Sequence, residues 1–170
     1  MARHPRSRIG RSPSNAQRQG IPIISTMIGS TMPLLPVIAT APVMPPLGLL
    51  VLIAWRMLHR NLWPVWMGLP LGMFDDIFSG QPLGSAMMLW TLALLGLDLL
   101  DRRMVWREFR QEWSIAGGLI VAILLIQLLI SYTSGGATNP LLLAPQMLVS
   151  ILAFPLVARI CAVLDDWRLA

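Results

Sequence analysis

WSIAGGLIVAILLIQLLISYTSGGATNPLLLAPQMLVSILAFPLVA, residues Trp113 to Ala158, is a run of 46 residues without a charged side chain. A bilayer core about 30 Å thick takes about 20 helical residues at about 1.5 Å each, so a run of this length holds two crossings and a turn. The polar segment Thr133 to Asn139 is the turn, which predicts helices over Ser114–Tyr132 and Leu141–Leu164. The pattern continues upstream, with uncharged runs at Gln19–Trp55 (37 residues), Asn61–Phe74 (14) and Ile77–Leu97 (21). Together the four runs hold 118 of the 170 residues.

Composition agrees with this patterning. Only 12% of the residues are charged and 55% are hydrophobic, whereas soluble domains carry about a quarter charged residues. A chain so poor in charge cannot cover a globular surface with polar groups, so the expected class is an all-α integral membrane protein with a bundle of about six transmembrane helices. The first helix is expected over Ile21–Thr40. Pro42, Pro45 and Pro46 then break the chain, and a short second helix follows over Leu47–Leu58. A third helix is expected over Leu62–Phe78, a break at Ser79 to Pro82, and a fourth helix from Pro82 to Leu100, proline being suited to a first helical position. The domain plan is a disordered, arginine-rich cytoplasmic tail over residues 1–20, a transmembrane domain over 21–164 and a short cytoplasmic C-terminus over 165–170.

The arginines provide an independent check on the helix number. All 13 basic residues are arginine: five in the tail, Arg56 and Arg60 in one turn, Arg102, Arg103, Arg107 and Arg110 in another, and Arg159 and Arg168 at the end. With six helices and both termini inside, every arginine faces the cytoplasm and the turns at Pro42–Pro46, Ser79–Gln81 and Thr133–Asn139 carry none, as the positive-inside rule requires. Trp55, Trp63, Trp66, Trp106, Trp113 and Trp167 then fall near inner helix ends, where an amphipathic ring prefers to sit. The tail has no aromatic residue for base stacking, so it is taken as a topology-setting flank and no nucleic-acid partner is expected.

Beyond hydropathy, the chain carries one constellation. In GLPLGMFDDIFSGQPLG, Gly68 to Gly84, small or acidic residues recur at every fourth position: Gly68, Gly72, Asp76, Gly80 and Gly84. Up to the break this spacing puts a small-residue stripe on one helix face, against which another backbone can approach closely. Asp75 and Asp76 stand near the outer end of the third helix, and carboxylates at membrane depth are costly. No arginine is expected on that side. The nearest positive potential is the start of the fourth helix at Pro82–Ser85, where free N–H groups and the helix dipole attract an anion. Two roles stay open for the pair, capping that helix start or binding a partner. For Asp76, which lies on the stripe, a pure capping role predicts that Asp76→Asn keeps much of the function.

No phosphate loop, Ser-His-Asp arrangement or zinc pattern is present, and neither His4 nor His59 lies in an expected helix core. A single cysteine, Cys161, excludes an intrachain disulfide and a cysteine-based metal site. The expectation is a non-enzyme without cofactor or metal.

Residues Leu52 to Asp101 resemble the MreD family of the bacterial rod-shape system. The likeness rests on Trp63-Pro64-Val65-Trp66, on Gly68 and Gly72, and on Asp76-Ile77-Phe78-Ser79-Gly80-Gln81-Pro82-Leu83-Gly84, which is similar to the family signature D-x-x-x-G-x-x-L-G. The doubled Asp75-Asp76 pair and the arginine-rich tail depart from that pattern. The resemblance implies a non-catalytic inner-membrane scaffold of the cell-elongation machinery. It further implies an MreC-like membrane protein, the RodA and penicillin-binding synthases of peptidoglycan and the MreB filament as partners, and a helical fold similar to the substrate-binding (S) components of vitamin importers. On that basis Asp75, Asp76, Gly68, Gly72, Gly80, Pro82 and Gly84 form the expected partner-binding or structural site. The alternative is a small-molecule-binding subunit of a vitamin-type importer, for which Asp75, Asp76 and Gln127 are the polar groups expected at membrane depth.

Overall fold

The computed structural model describes residues 15–32, 44–79, 82–103, 109–133 and 143–169. Among the described residues there are six α-helices and no strand: α1 (Asn15–Thr31), α2 (Leu47–Leu58), α3 (Gly68–Ser79), α4 (Ser85–Arg103), α5 (Phe109–Thr133) and α6 (Leu143–Leu169). One turn of 3-10 helix, Val65–Met67, leads into α3.

The helix limits differ from the sequence expectation where local chemistry overrides hydropathy. The first helix begins at Asn15 instead of Ile21 and contains Pro22, whose carbonyl takes the hydroxyls of Ser25 and Thr26 at 3.0 and 2.7 Å. Its expected continuation to Thr40 lies outside the described residues. α2 occupies the expected span, starting where Pro46 can no longer hinder a helical N–H and ending at the extended residue His59. The third helix starts at Gly68 instead of Leu62, because Pro64 is held extended and the 3-10 turn follows it. The fourth runs Ser85–Arg103, three residues later than expected at each end, and the sixth stays helical through Asp165 and Asp166 to Leu169.

α5 and α6 are long and apolar enough to cross a membrane, over Gln111–Thr133 and Leu143–Trp167. Only 22% of the apolar window in each is buried, so neither is the hidden core helix of a soluble protein. α2 and α3, with 12 residues each, reach about 18 Å, short of a hydrocarbon core of about 30 Å. Six full-length crossings are therefore not what the described helices provide.

Short as it is, α2 lies at the centre. Leu49, Leu50, Leu52, Ile53, Ala54, Trp55 and Arg56 are all buried, so the helix is covered on every side, and it touches α1, α4, α5 and α6. The other main contacts join α3 to α1 and α4, α1 to α6, α4 to α5, α5 to α6, and the 3-10 turn to α3 and α4. Trp55 and Trp63 do not form the interfacial belt expected of them. Both are core residues, and Trp55 donates its indole N–H to Ser25 Oγ at 2.9 Å, which gives a buried indole the acceptor it needs. Trp90 is also buried, while Trp66, Trp113 and Trp167 are exposed. Apolar side chains cover the outside: Leu148, Leu152, Leu156 and Val163 along α6, and Leu125 and Leu129 on α5. An outer surface of this kind suits a hydrocarbon solvent.

Candidate functional site

The Gly68–Gly84 segment forms the hairpin between α3 and α4. On α3 the buried residues are Gly68, Leu71, Gly72 and Asp76, a single face with a four-residue repeat. That face lies directly on the α4 backbone. A Cβ placed on Gly68 would come within 2.7 Å of Thr91 Cα and N, and one on Gly72 within 2.6 Å of Ala86 O and Met87 Cα. Both distances are closer than any real side-chain carbon tolerates, so only glycine lets the two helices sit at this separation.

Asp76 completes the same contact at the hairpin tip. It is 2% exposed, and both carboxylate oxygens are used. Oδ2 accepts from the Gly84 N–H at 2.8 Å and the Met87 N–H at 3.3 Å, and Oδ1 accepts from the Ala86 N–H at 2.8 Å and the Ser85 hydroxyl at 3.1 Å. These are the donors that the first turn of a helix leaves without intrahelical partners, and a carboxylate there also meets the positive end of the helix dipole. The Ser85 N–H bonds to Pro82 O at 3.0 Å. Gly84 itself has φ +98°, a left-handed backbone that a side chain would strain, and this turn is what aims its N–H at Asp76. Acid and glycine, eight residues apart in the sequence, thus form a cap for α4 supplied by another helix.

The other expected site residues separate from this core. Asp75 is half-buried and faces Ser30 on α1, the two approaching without the geometry of a formed hydrogen bond. Pro82 supplies its carbonyl to the turn. Gly80 lies outside the described residues. Leu83 is 81% exposed at the tip of the hairpin. Gln127 lies on α5 beside Ser85, Ser131 and Gln146 around a cavity of about 200 Å³, and Gln146 donates to Met44 O at 3.1 Å.

Two features were missed by the sequence reading. One is a second close glycine approach, at Gly29 of α1 and Gly48 of α2, where a Cβ on Gly29 would reach Gly48 Cα at 3.2 Å and one on Gly48 would collide with the Ser30 hydroxyl. The other is an ionic network at the opposite, arginine-bearing end of the helices. The Arg56 side chain, expected in a cytoplasmic turn, is only 5% exposed, and it pairs with Asp101 at 2.9 Å and with Asp98 at 3.6 Å. Asp98 also holds Arg102 at 2.9 Å, and Arg60 approaches Asp101 at 4.0 Å. Beside this network, His59 bonds Asp165 on α6 at 2.9 Å. The available signal was that Asp98 and Asp101 share one helix face at a spacing of three while Arg56 closes an uncharged run.

Comparison with known proteins places this geometry in a family context. The model described as rod shape-determining protein MreD matches residues 19–164. No curated protein and no solved structure matches the chain.

Proposed function

The chain belongs to the MreD family of rod shape-determining membrane proteins, and from that premise we propose that it is a non-catalytic scaffold of the bacterial cell-elongation machinery. In this role it couples an MreC-like membrane protein, the RodA and penicillin-binding synthases of peptidoglycan, and the MreB filament at one place in the cytoplasmic membrane. Both termini and all arginines lie on the cytoplasmic side, and the acidic hairpin lies outside.

The observation that carries this proposal is the saturation of Asp76. A carboxylate that transfers protons or holds a solute keeps a lone pair free and a path to water. Asp76 has four donors on two oxygens and is almost fully buried, so the signature residues are spent on the rigidity of the α3–α4 hairpin. A rigid hairpin offers partners a fixed surface, and the outward residues Leu69, Met73 and Ile77 of α3, with Leu83 at the tip, form an apolar ridge suited to a neighbouring membrane helix. The importer-type alternative would rest on the cavity lined by Gln127 and Gln146, but about 200 Å³ is below the roughly 300–1,000 Å³ of ordinary ligand pockets.

Photo-crosslinkers at Met73 and Ile77 in native membranes test the proposal. Recovery of the MreC-like protein or an elongation synthase is expected. Recovery of an importer ATPase in their place would overturn it.

A further inference from the structure

At the arginine-bearing end, α2, α5 and α6 enclose an open groove of about 560 Å³ that the hairpin site does not use. Its walls are apolar, from Ala54 and Met57 of α2 to Phe154 and Ala158 of α6, and Glu112 and Arg159 are the two charged residues that line it. We propose that this groove holds one phospholipid with a primary-ammonium zwitterionic headgroup, Arg159 taking the phosphate and Glu112 the ammonium.

The groove is built into the helices. Pro155 in α6 has no N–H, so the Ile151 carbonyl loses its intrahelical donor, and the Trp113 indole N–H of α5 reaches that carbonyl at 3.4 Å. One proline thus opens the α6 backbone and one tryptophan ties α5 to the gap, leaving Trp113 as a fixed wall. Glu112 and Arg159 form no ion pair with each other or with any other group among the described residues. Two opposite charges that face one apolar groove and stay apart match a ligand with both charges and a hydrocarbon tail.

Depth agrees with a headgroup. Glu112 lies 21 residues before the end of α5 at Thr133, about 32 Å along the axis, and Arg159 lies 16 residues after the start of α6 at Leu143, about 24 Å. Across a core of about 30 Å, Glu112 reaches the interface and Arg159 extends to it by snorkelling. One turn of helix about 10 Å wide and about 5.4 Å long fills roughly 420 Å³, so the groove would take little more than one turn of a partner helix.

The test is lipid retention by the full purified chain, read by native mass spectrometry with phosphatidylethanolamine, phosphatidylcholine and phosphatidylglycerol of one acyl composition. Phosphatidylethanolamine should be retained best. Glu112→Gln should lower its retention by about threefold to tenfold, to the level of phosphatidylcholine, as expected for loss of a partly exposed charge-assisted bond. Arg159→Gln should lower all three, and Ala158→Trp should block the groove. Glu112 and Arg159 are not buried, so these two variants should keep the wild-type melting profile and carry the test if the tryptophan variant misfolds. Equal retention of the three lipids, preference for phosphatidylglycerol, or retention unchanged in both charge variants would overturn the proposal. So would a photo-crosslinker at Ala158 that captures a protein helix in native membranes.

Discussion

Removing the Asp76 carboxylate should cost more than any other single change in the hairpin. In Asp76→Leu the branched shape at Cγ is kept with bulkier methyl groups, but the Gly84 and Ala86 N–H groups, each 2.8 Å from an oxygen of the almost fully buried carboxylate, lose their acceptor. An orphaned donor costs about 1–3 kcal/mol, so two of them, with about 0.3–1 kcal/mol for loss of an anion at a helix N-terminus, give roughly 2–7 kcal/mol in all. Against a total stability of about 5–15 kcal/mol this is enough to deplete the folded protein. The asparagine variant is less innocent than a simple capping role implies. Its single oxygen can serve Gly84 and Met87, and its NH₂ can turn to the Ser85 hydroxyl, but the Ala86 N–H is then left facing a donor. About 1–3 kcal/mol is expected for it, between wild type and leucine. Melting of the purified variants in detergent, membrane abundance and rod shape after depletion of the native protein measure the effect together. If Asp76→Leu melts and accumulates like wild type, the cap contributes no stability and the reasoning fails. If it accumulates normally but the cells lose their rod shape, the carboxylate acts on a partner instead.

Other changes should separate along the same physical lines. Gly72→Leu should cost about 1–3 kcal/mol by overpacking against the Ala86 and Met87 backbone, read as lower membrane abundance, while Gly118→Ala on α5, with nothing within 4 Å of the added carbon, should be tolerated. Gly84→Ala meets no atoms either but should still destabilise by about 1–2 kcal/mol because of its φ of +98°, which distinguishes backbone strain from crowding in the same melting assay. Arg56→Leu should cost about 1.5–3 kcal/mol, because Asp101 and Asp98 lose their buried cation while Arg60 and Arg102 stay beside them, whereas Arg102→Ala, on the exposed flank of the same network, should change the melting temperature little. Topology reporters at Gly20, Arg60, Glu108 and Ala170 should read cytoplasm and one at Gly136 the outside; a periplasmic C-terminus would refute the orientation.

Much of the plan was legible without coordinates, because it depends on properties each segment has by itself. Scarcity of charge, the 46-residue apolar run and the proline cluster before Leu47 are local, and they set the membrane class and the helix sequence. The spacing of Gly68, Gly72 and Asp76 is local too, since a helix turns every 3.6 residues wherever it lies, so their common face could be read directly. What the sequence could not supply is which surface meets which. That Gly72 touches Ala86 and Met87, that both Asp76 oxygens are taken up by the Gly84, Ala86 and Met87 amides and the Ser85 hydroxyl, and that Arg56 is buried against acids more than forty positions away all depend on how helices dock. Hydropathy assigned Trp55 and Arg56 to an interface because both residue types favour one. The tertiary structure placed them inside, because α2 is short enough to be covered on all sides and its neighbours bring Ser25, Asp98 and Asp101 within bonding distance.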